Sequence, residues 1–110
     1  MKTPREKGKQ LETFIASELQ DIFQEMPPIR PTKASSGGLR NTEIGDINSE
    51  NVFVEAKNHE TASISLRVWD KLVNSIPMNN VKIPLYIVKR PTGEILITLR
   101  FNDFCKFLKK

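Results

Sequence analysis

A chain of 110 residues is the length of one domain with a lean core, so a second copy would add useful burial. Seventeen Lys and Arg against thirteen Asp and Glu leave a net charge of +4, a balance that favours a polyanionic partner. A single cysteine excludes an internal disulfide and, with one histidine, argues against zinc. No apolar run reaches the roughly 18 residues of a membrane span and no signal-peptide pattern opens the chain. The expectation is an intracellular, soluble protein without membrane association.

Residues 1–8 (MKTPREKG) are basic and read as a flexible N-terminus, with one domain over 9–110. From Lys9 to about Gln24, Leu11, Phe14, Ile15, Leu19, Ile22 and Phe23 recur at three- and four-residue steps, the period of an amphipathic helix. Pro27 and Pro28 end it. A short extended piece follows around Ile29–Thr32, then a loop of small residues, Ala34 to Gly38. Thr42–Asn48 and Asn51–Lys57 read as a strand pair joined by a polar turn. A second helix is predicted from about Ser65 to Ser75, with Leu66, Trp69, Leu72, Val73 and Ile76 on its apolar face, and Pro77 stops it. Pro84–Lys89 reads as a buried strand, Pro91-Thr92-Gly93 as a turn and Glu94–Leu99 as the antiparallel return. Asn102 is placed to cap a last helix through Lys109, with Cys105 as a core thiol. Helices must cover the apolar faces of the strands, so the fold class is α/β, a small mixed β-sheet flanked by helices.

The chemistry-bearing residues gather around the first strand pair. Asp46 stands in GDIN, and after the turn the chain runs VFVEAKN. Residues two apart on a strand project to one side, so Glu55 and Lys57 share a face while Val54 and Ala56 share the other. A tight antiparallel turn brings Asp46 back beside them. Two carboxylates and an ammonium at one point suit a divalent metal next to a scissile phosphate. The bland alternative is a solvated Glu-Lys strand. For Glu12 in the first helix, the alternatives are an acid aimed at the sheet end and a solvated helix residue. His59 reads as an exposed turn residue and Trp69 as packing.

The D…ExK arrangement of Asp46, Glu55 and Lys57 resembles the PD-(D/E)xK nuclease signature, with Gly45 where the name-giving proline usually stands. IRPTKASSGG, from Ile29 to Gly38, is similar to the basic R-x-P-A-S-G segment of archaeal and phage Holliday-junction resolvases. RPTGEILITLRFNDFCKFLKK resembles their closing hairpin and short helix. The likeness spans most of the chain in the family's order. It implies a restriction-endonuclease-like core, a homodimer, and magnesium (with manganese as a possible substitute) held by Asp46, Glu55 and the backbone carbonyl of Ala56. In this likeness Glu12 contributes directly or through water, and Lys57 orients or activates the attacking water. Ser35, Ser36 and Gly37 would contact phosphate with Arg30 and Lys33. The extra serine leaves open which of Ser35 and Ser36 is equivalent, Ser36 being preferred for its place beside Gly37.

DNA contacts are expected to be spread over basic side chains: Arg5, Lys7, Lys9, Arg30, Lys33, Arg40, and also Lys71, Lys89 and Arg90. No zinc finger, helix-turn-helix or RNA-stacking signature is present, which points to recognition of backbone shape. The resulting expectation is a metal-dependent endodeoxyribonuclease that resolves four-way junctions in branched double-stranded DNA by paired symmetric nicks. The alternatives are a related small nuclease acting on other DNA structures and a noncatalytic basic DNA-binding protein.

Overall fold

The computed structural model describes residues 4–32, 45–58, 65–78 and 81–109. The first helix, α1 (Pro4–Phe23), starts earlier than its apolar period indicates, so residues 4–8 of the expected flexible segment are helical. Proline suits a first helical turn, where its missing N–H would have no partner, and Glu6 in that turn complements the helix dipole. Leu11, Ile15 and Ala16 are buried, and Leu19 and Phe23 pack beside them. Phe14 and Ile22, expected on the same stripe, are 52% and 64% exposed. Phe14 lies off the buried line at about 100° per residue. The helix stops where Gln24 turns to a φ of 51°, a left-handed terminus of the kind that ends many helices.

Five strands follow. Strands β1 (Arg30–Pro31) and β2 (Ile47–Asn48) pair antiparallel in a two-stranded sheet of their own, so the expected pairing of 42–48 with 51–57 gives way to one with β1, and 42–44 lie outside the described residues. Strand β3 (Val52–Asn58) runs parallel to β4 (Ile83–Lys89), with Glu55 opposite Tyr86. Strand β5 (Ile95–Thr98) returns antiparallel along β4. A parallel pair requires a crossover, and helix α2 (Leu66–Asn74) provides it between β3 and β4. Ser65 caps this helix, its hydroxyl accepting from the Val68 amide at 3.2 Å.

The alternation along β3 builds two cores on opposite faces. Val52 and Val54 join Leu11, Ile15, Ala16, Ile29, Ile47, Leu85 and Ile87 under α1. Phe53 joins Leu72, Tyr86 and Val88 under α2, with Val68, Trp69 and Ile76 at the edge. Val52 and Val54 are fully buried, each stabilising the fold by about 2 kcal/mol relative to exposure. Leu66, predicted on the apolar face of α2, is 83% exposed as the first residue of the helix. The fold is thus a small α/β arrangement with mixed strand pairing.

The last helix, α3 (Phe101–Leu108), begins one residue before the expected cap. Arg100 holds the N-cap position without a side-chain cap bond, and Asn102 falls inside the first turn. The buried Asp103 takes the Arg100 guanidinium at 2.8 Å instead. Cys105 is partly buried rather than a core thiol. Phe107 turns inward, its ring meeting Phe23 edge-on at 5.8 Å between centroids.

Candidate active site

The junction of β2 and β3 positions the first acid through its backbone. The Asp46 amide donates to the Val54 carbonyl at 2.9 Å, and the Asp46 carbonyl accepts from Thr32 at 3.1 Å. The carboxylate itself is anchored, because Oδ2 accepts from the Ala56 amide at 2.7 Å. Gly45, directly before it, has a φ of +74°, and a Cβ there would sit 3.0 Å from the Val54 carbonyl oxygen. Proline, fixed near −65°, has no access to this conformation, so glycine at the motif's proline position goes with a different local backbone. Gly45→Ala is expected to destabilise the fold by about 2 kcal/mol, read as a lowered midpoint in denaturant unfolding. An unchanged midpoint would remove the strain argument.

Glu55 and Lys57 occupy the α2-facing side of β3, as the strand alternation predicts. Lys57 Nζ lies 3.1 Å from Glu55 Oε1, with both side chains part-exposed. Glu12 arrives from α1. At about 100° per residue it falls on the side of Leu19 and Ala16, and it is partly buried.

Electrostatics link the four groups. Burial pushes the Glu12 carboxyl up, and the negative charges of Asp46 and Glu55 push it further. Burial also raises Asp46; Glu55 adds to this, while the Ala56 amide and Lys57 partly oppose it. Lys57 is raised, first by its bond to Glu55, against a smaller desolvation effect. It is therefore an ammonium at neutral pH, suited to donating toward water or phosphate and unable to accept a proton in that state. Carboxylates brought close enough to disfavour one another's charge are a frequent mark of functional sites. Among the described residues, however, no three acids, histidines or cysteines close into a metal-holding group.

No family model, curated protein or solved structure matches this chain. The likeness to PD-(D/E)xK nucleases therefore rests on the motif residues themselves.

The remaining sequence-predicted residues divide by position. Lys7 and Lys9 are exposed on α1, and Arg30 is exposed on β1. Arg90 is engaged, its guanidinium 2.7 Å from Glu94 across the β4–β5 turn. Lys33, Ser35, Ser36, Gly37, Arg40 and His59 lie outside the described residues, as does the side chain of Arg5.

Three participants carry little sequence signal for their place at the site. The Ala56 amide holds Asp46, whereas the motif draws attention only to the Ala56 carbonyl. Tyr86, opposite Glu55, is buried in the core as its strand pattern predicts, and it also lines the space beside Glu55 and Lys57. Glu25 resembles a spent helix-end acid, yet it is 7% exposed and ties the β2–β3 turn together. Its Oε2 accepts from Ser49 Oγ at 2.6 Å and Asn51 Nδ2 at 2.7 Å. Its Oε1 accepts from the Glu50 amide at 2.9 Å. Glu25 and the Ser49-Glu50-Asn51 turn lie far apart in the chain, so no spacing or period links them.

Proposed function

We propose that this protein is a metal-dependent endodeoxyribonuclease with a restriction-endonuclease-like core, acting on branched double-stranded DNA, most specifically on four-way junctions. The observation that supports this reading is the anchoring of Asp46 to the Ala56 amide, beside the Glu55–Lys57 pair and within the electrostatic reach of Glu12. The donor set is all oxygen, which fits magnesium or manganese better than a softer ion. Asp46 and Glu55 would hold the metal, with the Ala56 carbonyl and, directly or through water, Glu12. When bound, the metal supplies an activated water and charge relief at the phosphate.

The chain's own groups have separable roles. The Ala56 amide fixes one Asp46 oxygen, Oδ2, and so sets the orientation of the carboxylate. Lys57, as an ammonium, offsets phosphate charge and orients the attacking water by donation. Lys57→Ala is expected to lower turnover on the order of a hundredfold with junction affinity little changed, in a single-turnover assay beside a binding titration. Unchanged turnover would take Lys57 out of the mechanism.

Basic side chains including Lys7, Lys9 and Arg30 would bind phosphates without reading bases, each neutralised phosphate steepening the log-log salt dependence by about 0.9. A homodimer belongs to this reading, since two sites related by a two-fold axis match a junction of similar symmetry.

A second reading, a DNA-binding protein without cleavage, needs only the exposed basic side chains Lys7, Lys9 and Arg30. One experiment separates the two. Purified protein is given a labelled immobile four-way junction, with duplex, flap and nicked controls, with and without magnesium. Paired symmetric nicks confined to the junction and lost with chelator support the resolvase. Equal cleavage of all substrates keeps a nuclease and discards junction selectivity. Binding with no cleavage of any substrate supports the second reading.

A further inference from the structure

The sheet face that carries Glu55 and Lys57 also opens into a cavity of about 510 Å³ under α2. Its lining divides by chemistry. Phe53, Val68, Leu72 and Tyr86 form an apolar, partly aromatic floor, while the Glu55–Lys57 ion pair and the ammonium of Lys71 line its polar side. Lys71 is exposed on α2 and makes no ion pair among the described residues, so its charge is available to an anion. The volume lies within the range of small-molecule sites, which are mostly apolar with a few placed polar groups.

We propose that this cavity binds the base of a single unstacked nucleotide next to the phosphate at Glu55 and Lys57, with Lys71 against a flanking phosphate. The proposal rests on the nuclease reading for the identity of the neighbouring phosphate. The occupant is argued from charge and from continuity. An apolar floor with one uncompensated cation, Lys71, beside the Glu55–Lys57 pair matches a flat aromatic base joined to a phosphate, and the cavity shares Glu55 and Lys57 with the proposed reaction centre. A paired, stacked base has no access to such a pocket, whereas a base at a branch point is already partly unstacked and costs less to extrude. Preference for branched over linear DNA would then arise in part from this pocket, with no reading of base identity.

The test follows methyl NMR signals of Val68 and Leu72 in the full chain during titration with deoxyadenosine 5′-monophosphate, with 2-deoxyribose 5-phosphate as the base-free control. The expected result is a saturable shift with an apparent Kd of about 1 mM, and binding about tenfold weaker without the base. Val68→Trp, which fills the floor, is expected to abolish the shift of Leu72. Lys71→Glu, an exposed change that leaves the floor intact, is expected to weaken binding about threefold. Methyl signals that stay fixed in the wild-type protein, or that move equally with the base-free sugar phosphate, would overturn the proposal. Saturable shifts in a protein that cleaves no DNA would keep the nucleotide pocket and remove the nuclease. Metal-dependent cleavage with unmoved methyls would do the reverse.

Discussion

Asp46→Asn is expected to lower metal-dependent cleavage on the order of a thousandfold while junction binding at low salt stays intact or tightens. Asparagine keeps an oxygen for the Ala56 amide, which donates to Asp46 Oδ2 at 2.7 Å, so the backbone geometry is preserved. What is lost is the charge that would hold a divalent metal, and losing an acid beside a phosphate removes repulsion toward DNA. Glu55→Gln should behave alike for cleavage. Stability gives an independent check. Asp46 and Glu12 both have raised carboxyl pKa values, so the folded state holds their protons more tightly than the unfolded chain does. These groups therefore disfavour folding at neutral pH and do so less as pH falls toward their ordinary values. Neutralising Asp46 should accordingly raise the unfolding midpoint of the metal-free protein slightly, solvent screening keeping the gain small. Reduced cleavage together with reduced stability would mean that Asp46 serves the fold and not the chemistry.

The strand alternation in VFVEAKN carried most of what could be read of the site. It put Glu55 and Lys57 on one face and Val54 and Ala56 on the other, and the two cores divide along that line. Period and turn residues likewise locate α2, β4 and β5 to within a residue or two, because each has a strong apolar pattern bounded by proline, glycine or a cap. Three features were not legible for physical reasons. Helix α1 extends to Pro4 through charged residues, which favour helix without leaving an apolar period. Asp46 is held by an amide, and a backbone donor has no side-chain identity to notice. The distinction between Leu66 and Leu72, one exposed and one buried, depends on what packs against each turn of α2, which helical period alone does not carry.

The site's framework depends on a residue outside the motif, and its removal is expected to have the largest effect on stability. Glu25→Ala should destabilise the protein by about 3 kcal/mol, roughly 15 °C in Tm for a domain of this size. The carboxylate is buried and accepts from Ser49 Oγ, the Glu50 amide, the Asn51 amide and Asn51 Nδ2, between 2.6 and 3.2 Å. Removing it leaves several inward donors without an acceptor, and the penalty is that of desolvated, unpaired groups. Even Glu25→Gln should cost about 2 kcal/mol, because its amide would present hydrogens to a site built from donors. The pH dependence carries a sign. Burial pushes the Glu25 carboxyl up, but the bonds from Ser49, Glu50 and Asn51 outweigh it and hold the group below its ordinary value of 4.5. Its contribution is therefore fully present above that ordinary value and is lost as pH falls through the lower folded value. Urea unfolding of wild type and Glu25→Gln across the acid range should show the difference between them shrinking as pH falls. A difference that stays constant would exclude the carboxylate's charge as the source. The same turn, Ser49–Asn51, joins the strand that follows Asp46 to the strand that carries Glu55. Loosening it should thus also lower the affinity for magnesium, whereas a purely global destabilisation would leave the affinity of the folded fraction unchanged.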